Sequence, residues 1–125
     1  MSWGGKLAVA AHVADPQGVQ SLSLVTPGLF PLVGVSKGEM AKIGFAMLYE
    51  PRKEFRIPLD DAEMFTAKLD WQEFIRTDAL TLRRCTASFY LASRLMDRTV
   101  LKLSTCPPVP VHLLLASDER IIDND

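Results

Sequence analysis

The stretch that decides the fold is MSWGGKLAVAAHVADP, residues 1–16. Small side chains dominate residues 4–14, which are predicted to form a helix. Such side chains let a helix axis lie close to whatever it covers, typically a sheet. The Asp15-Pro16 pair is predicted to end this helix, because the residue before a proline is disfavoured in the α region. A serine and a glycine pair at the start indicate a tightly packed turn rather than a frayed terminus.

Ser2 is the candidate nucleophile of this turn. In the nucleophile elbow G-x-S-x-G, serine occupies a strained turn from strand to helix, and glycines allow other backbone segments to come close. Residues 1–4 supply x-S-x-G and Gly5 adds a second small residue, whereas the leading glycine is absent. S-x-G alone is a common chance pattern. The helix that follows, the next strand and an acidic turn after a later strand make the pattern more specific.

The composition is that of a globular chain without a strong charge bias. Its 125 residues suffice for one modest core, and 48% of them are hydrophobic, which argues against disorder. The net charge of −1 predicts no attraction to nucleic acid or to an anionic membrane. No run is long enough for an integral membrane segment, and no signal-peptide pattern is present. Two cysteines without metal-ligand spacing favour a reduced, cytoplasmic setting.

The first two thirds of the chain predict one strand and an irregular insertion. Residues 19–25 predict a strand that ends at the turn signal Thr26-Pro27-Gly28. From residue 29 to about residue 69, short apolar pieces are interrupted by prolines and a glycine. This region contains one predicted helix, Lys37–Tyr49, followed by the exposed and irregular residues 52–61. The composition is typical of an insertion or lid.

The last third predicts a helix and a buried strand. Residues 79–97 predict a helix after Thr77-Asp78, because apolar residues recur at three- and four-residue spacing: Leu82, Cys85, Phe89, Ala92 and Met96. The arginines of this predicted helix are expected to form a solvated face rather than a phosphate-binding surface. Residues 109–116 form a nearly continuous apolar run, which predicts a strand covered on both faces of a parallel sheet. An acidic turn follows, and the whole order favours an α/β fold.

Four segments together resemble the α/β-hydrolase superfamily: SWGGKLA, LVTPGLFP, TDALTLRRCTASFYLASRLMD and PVPVHLLLASDERIIDN. The most similar branch contains monoacylglycerol lipases, lysophospholipases and serine aminopeptidase-like hydrolases. The resemblance covers nearly the whole chain, but only the later half of a family member, from elbow to acid turn. It implies a partial α/β-hydrolase domain, a parallel sheet remnant with flanking helices. Residues 1–28 would form the elbow helix and next strand, 29–79 the lid, and 80–125 a helix, buried strand and acid turn.

The resemblance implies a role for each candidate site residue. Ser2 would attack an ester or amide carbonyl to give an acyl-enzyme, and the backbone N–H of Trp3 would form part of the oxyanion hole. Glu119 would orient and stabilise a histidinium. The family usually has aspartate at this position, so Asp118, one residue earlier, is the alternative acid. No cofactor and no metal is implied.

A triad histidine is the part that the resemblance does not locate in this chain. The family places it after the acid turn. His12 is expected to pack within the first helix, and His112 precedes the acid within a strand, so neither is expected to serve. We therefore expect a C-terminal portion of a hydrolase that is inactive alone, produced by a truncated gene, a mis-called start or a split reading frame.

The predicted activity is hydrolysis of a carboxylic ester by a serine hydrolase, with a small, lipid-like substrate. A peptide or amide substrate is the less favoured possibility. The alternative hypothesis is a non-catalytic α/β remnant that acts as a binding or interaction module through an exposed sheet edge. An unrelated small domain with coincidental motifs is a third possibility.

Overall fold

The computed structural model describes residues 1–106 and 108–123. Within them the chain forms, in order, α1 (Ser2–Ala14), β1 (Leu22–Val25), α2 (Lys37–Tyr49), β2 (Glu54–Arg56), α3 (Leu69–Thr77), β3 (Arg84–Thr86), α4 (Ala87–Val100) and β4 (Val111–Leu114). None of the helices in these ranges combines the length and the apolar character that crossing a membrane requires.

The chain divides into two compact units. Unit 1 comprises Met1–Pro31 and Ser93–Asp125, and unit 2 comprises Leu32–Ala92. Helix α4 therefore begins in unit 2 and ends in unit 1. These units are defined by packing alone, so the functional division into elbow, lid and acid-turn segments stays a prediction.

Unit 1 contains a two-stranded parallel sheet covered by α1. Strand β1 pairs in parallel with β4, from Leu22 opposite Val111 to Val25 opposite Leu114. Val9 of α1 is fully buried and packs in one cluster with Leu22, Leu24 and Val100. Burial of such side chains contributes roughly 1.5–3 kcal/mol each. Mixed helices and strands around a parallel sheet agree with the α/β fold class predicted from the sequence.

The prediction that the last strand is buried on both faces is wrong. β4 covers residues 111–114 rather than 109–116, and all four of its residues are exposed, with Val111 at 53%. In β1, by contrast, Leu22 and Leu24 are buried and alternate with exposed residues. Among the described residues, one face of β1 is therefore buried, whereas both faces of β4 are exposed. A continuous apolar run predicts a strand that can be buried on both faces. It does not show that residues of the same chain bury it.

Unit 2 is built around α2 and an antiparallel strand pair. The side chain of Ser36 accepts the N–H of Glu39 at 3.2 Å and so caps α2, which has the predicted bounds. β2 and β3 pair with Phe55 opposite Cys85. The buried cluster consists of Ile43, Ala46 and Ala87, with Val35, Met47, Phe55 and Tyr90 packed against it.

Cys85 and Tyr90 are the ionisable groups of this unit that packing perturbs. Burial raises the pKa of the Cys85 thiol. Burial also raises the pKa of the Tyr90 hydroxyl, and the neighbouring Cys85 adds to the increase. That hydroxyl donates to the carbonyl oxygen of Arg56 at 2.8 Å. Both groups are therefore kept neutral by their surroundings and act as packing residues.

The helix predicted over residues 79–97 is correct only in its second part. Residues 84–86 form β3, and α4 begins at Ala87, where the Thr86 hydroxyl accepts the N–H of Phe89 at 3.2 Å. Leu82 lies outside the helix and is 69% exposed. Pairing with β2 overrides the helical periodicity here, because the Arg84 guanidinium also bonds the Glu54 carboxylate and carbonyl.

Three smaller expectations also need correction. The region predicted as irregular, 52–61, contains strand β2, and the strand predicted over 19–25 is limited to 22–25. Helix α3 was not predicted: it lies at the end of the region interpreted as a lid, and only one of its residues, Gln72, is buried. Thr77-Asp78 ends this helix instead of starting the next one.

Candidate active site

Ser2 has a strained backbone conformation at the start of α1. Its φ is 48°, in the left-handed region that residues other than glycine rarely adopt. Such a conformation costs of order 1–3 kcal/mol and persists only where the surroundings enforce it. The residue is exposed and begins the helix directly. This is the backbone geometry expected of a serine at a sharp turn into a helix.

The segment after β1 holds Ser2 in this conformation. The Ser2 N–H donates to the carbonyl oxygen of Thr26 at 2.9 Å, and the Gly28 N–H donates to the carbonyl oxygen of Ser2 at 2.7 Å. Thr26 also has a left-handed φ, 36°. One backbone hydrogen bond therefore joins the two strained residues, and a second joins Ser2 to Gly28.

Two glycines permit this close approach. A Cβ built on Gly5 would lie 2.6 Å from the Cβ and 2.8 Å from the Cα of Pro27, and one on Gly28 would lie 3.2 Å from the Ser2 carbonyl carbon. The sequence predicted each element, the turn at 26–28 and the glycine pair at 4–5, but not their contact. The only sequence feature that pointed to this contact was a glycine in each segment, and that is not enough to predict that the two segments meet.

Side chains tie the first turn of α1 to α4. The Trp3 Nε1 donates to the Ser93 hydroxyl at 3.2 Å, and the Lys6 ammonium pairs with the Asp97 carboxylate. Lys6 is only 4% exposed. Asp97 also faces Arg94 at 3.8 Å. Sequence reasoning missed this buried pair, because it expected the charged side chains of the helix over residues 79–97 to lie on a solvated face and gave Lys6 no role.

The acid turn contains two carboxylates with different surroundings. One oxygen of Glu119, Oε1, accepts the backbone N–H groups of Arg120, Ile121 and Ile122 at 3.0, 2.9 and 3.3 Å. Glu119 is half-buried, whereas the Asp118 side chain is 79% exposed and, among the described residues, has only a 3.5 Å ion pair with Arg120. Glu119 is therefore positioned by the backbone and Asp118 is not.

Residues 26–31 connect the serine turn to the acid turn. The Thr26 N–H donates to the carbonyl oxygen of Leu114, the last residue of β4, at 2.8 Å. Further on, the Asp123 N–H donates to Phe30 at 2.7 Å, and Pro31 forms a bridge with Ile122. Because the carboxyl ends of parallel strands lie at one edge of a sheet, both turns lie at that edge.

The histidines lie away from this edge. His12 is 1% exposed, and its Nδ1 has no hydrogen-bond partner among the described residues. It lies ten residues along α1 from Ser2, about 15 Å at the rise of an α-helix. His112 lies opposite Ser23 within the sheet, in an exposed strand rather than the predicted buried one. Across the described ranges, no group of three potential ligands could hold a metal ion.

Comparison with solved structures gives a match that is informative about the fold. The crystal structure of Paleococcus ferrophilus monoacylglycerol lipase superposes with a TM-score of 0.78 at 17% sequence identity. The match covers 91% of this chain and 44% of that chain, so this chain spans less than half the length of its structural neighbour. No protein-family model and no curated protein matches. The similarity shows the fold alone: this chain has the fold of part of that structure, which is consistent with a partial α/β fold.

The contact between Gly5 and Pro27 predicts a matched pair of substitutions. Gly5→Ala should lower the free energy of unfolding by about 1–3 kcal/mol, because its Cβ overlaps the Pro27 ring. Gly4→Ala should be neutral or slightly stabilising, since nothing lies within 4 Å of its Cβ and alanine favours a helix. Urea unfolding measures both. Equal effects of the two substitutions would contradict the packing described.

The Lys6–Asp97 pair predicts that Asp97→Ala and Arg94→Ala lower the free energy of unfolding by different amounts. Asp97→Ala should cost about 3 kcal/mol of stability, because it leaves the buried Lys6 ammonium without its counter-ion. Arg94→Ala removes only an exposed contact at 3.8 Å and should cost below about 1 kcal/mol. Urea unfolding again separates the two. Similar small losses would mean that Lys6 reaches solvent.

Proposed function

We propose that this chain contains the nucleophile and acid segments of a serine hydrolase that cleaves carboxylic esters, with a lipid-like substrate. The observation that supports the proposal best is the left-handed Ser2, placed at the start of α1 and at the same sheet edge as the acid turn. Strained backbone at a polar residue is typical of functional sites. The structural neighbour is a monoacylglycerol lipase, and this supports a lipid-like ester as the substrate class proposed here.

In the proposed reaction, the Ser2 hydroxyl attacks the ester carbonyl carbon. The hydroxyl proton moves to a general base, the carbonyl oxygen becomes an oxyanion, and expulsion of the alcohol leaves an acyl-enzyme that water then hydrolyses. The backbone N–H of Trp3, in the first turn of α1, would donate to the oxyanion. The positive end of the helix dipole adds to its stabilisation at this position.

Glu119 is the proposed acid of the triad. Its Oε1 is engaged by three backbone N–H groups, and among the described residues no hydrogen bond occupies Oε2. A carboxylate held in this way can accept a histidine N–H on its second oxygen without losing its own orientation. Asp118 has no comparable support, so it remains the alternative acid.

The base is proposed to come from outside this chain. His12 is buried in α1 and His112 lies within β4, so neither can bridge Ser2 and Glu119. A serine without a base retains only a small residual rate. We therefore propose that the isolated chain is inactive and that the complete protein, in a cytoplasmic setting favoured by two free cysteines, hydrolyses esters.

A fluorophosphonate probe tests the nucleophile. The isolated chain should remain unlabelled, whereas the product of the complete reading frame that contains it should be labelled, and Ser2→Ala should abolish that labelling. Labelling of the isolated chain at Ser2 would disprove its inactivity. An unlabelled complete product would favour the second candidate, an interaction module, for which the exposed strand β4 is the supporting observation.

Conservative substitutions in the complete product identify the acid. Glu119→Gln should lower kcat/KM for a carboxylic ester roughly 10³–10⁴-fold, because the histidinium loses its counter-charge. Asp118→Asn serves as the matched control and should change kcat/KM less than about threefold, since its ion pair is exposed. If Asp118→Asn were the damaging substitution, the acid assignment would move to Asp118.

A further inference from the structure

Unit 2 contains a surface groove between α2 and β2. Its volume is about 470 Å³, within the range of small-molecule sites. Phe45 and Tyr49 line one side and Phe55 of β2 lines the other. The groove lies entirely within residues 41–55, far in sequence from Ser2 and Glu119, and no step of the proposed hydrolysis uses it.

The aromatic wall of the groove is exposed to an unusual degree. The rings of Phe45 and Tyr49 lie 4.7 Å apart, centroid to centroid, and contact each other at 39°. Phe45 is 65% exposed and Tyr49 is 74% exposed. On the same helix, Ile43 and Ala46 are buried and serve the core of the unit. The two rings therefore form a preorganised apolar surface that the packing of unit 2 does not require.

The charge around the groove is positive. Lys42 and Lys53 both line it, and Glu50 is the acidic member of the same lining. Glu50 pairs with Lys53 at 3.5 Å, while no carboxylate pairs with Lys42 among the described residues. One net cation therefore stands at the border of an apolar trough. This pairing of an aromatic wall with an ammonium group is complementary to an amphiphile with an anionic head.

We propose that this groove binds a long-chain monocarboxylate. The aliphatic chain lies against Phe45, Tyr49 and Phe55, and the carboxylate accepts hydrogen bonds from Lys42 and, in exchange with Glu50, from Lys53. Removal of the methylenes from water against these rings favours a long chain, and charge-assisted bonds at the head select an acid over a neutral molecule of the same length. The inference is independent of the hydrolase proposal, because binding here requires neither Ser2 nor a base.

Isothermal titration of the isolated chain with laurate, below its micelle concentration, tests the site. We expect saturable binding of one laurate per chain, and about tenfold weaker binding of dodecan-1-ol, which has the same chain length without the charge. Lys42→Ala combined with Lys53→Ala should abolish the preference for laurate. Lys37→Ala, at the exposed start of α2 and outside the groove, should leave laurate binding unchanged.

A second pair of variants tests the aromatic wall. Phe45→Ala should weaken laurate binding about tenfold, whereas Leu48→Ala, 76% exposed on the same helix but outside the groove lining, should not. Circular dichroism verifies that each variant keeps its helices. Equal binding of laurate and dodecan-1-ol, equal effects of the two substitutions, or binding to vesicles without binding to monomeric laurate would each overturn the proposal. Absence of laurate binding would also overturn the proposal. It would leave the hydrolase proposal untouched, because the fluorophosphonate experiment does not depend on this groove.

Discussion

The contact between the first turn of α1 and the turn at residues 26–28 is the constraint on which unit 1 depends. Two short backbone hydrogen bonds join Ser2 to Thr26 and Gly28, and two glycines allow the backbones to approach to that distance. The same turn bonds the end of β4 through Thr26. The position of α1, the pairing of β1 with β4 and the conformation of Ser2 thus all involve this one short segment.

Local sequence signals predicted the elements that depend on local interactions. α2 was predicted with its observed bounds, and α1 ends at Ala14 because Asp15-Pro16 stops it. The parallel sheet followed from an apolar run after a helix. The prediction failed where tertiary pairing decided the outcome. β3 formed from a stretch with helical periodicity, because Cys85 pairs with Phe55, thirty residues earlier in the chain.

The sequence indicated candidate residues for the site but not the contacts that support them. The S-x-G pattern before a small-residue helix indicated Ser2, whereas Glu119, with Asp118 as the alternative, was indicated only through the family resemblance. The strain at Ser2, the three N–H groups on Glu119 and the buried Lys6–Asp97 pair depend on which segments meet in space. Lys6 in particular had no sequence signal, since a lysine in a helix is usually solvated.

The parallel pairing of β1 with β4 also affects how the chain reaches this structure. Leu22 and Val111 are neighbours in the sheet, so their pairing closes a loop of about 90 residues. Contacts of such high sequence separation form slowly, whereas the α2–β2–β3 cluster of unit 2 is closed by much shorter loops. In the sequence, unit 2 lies inside the loop that the β1–β4 pairing closes, so we expect this pairing to form after the contacts within unit 2.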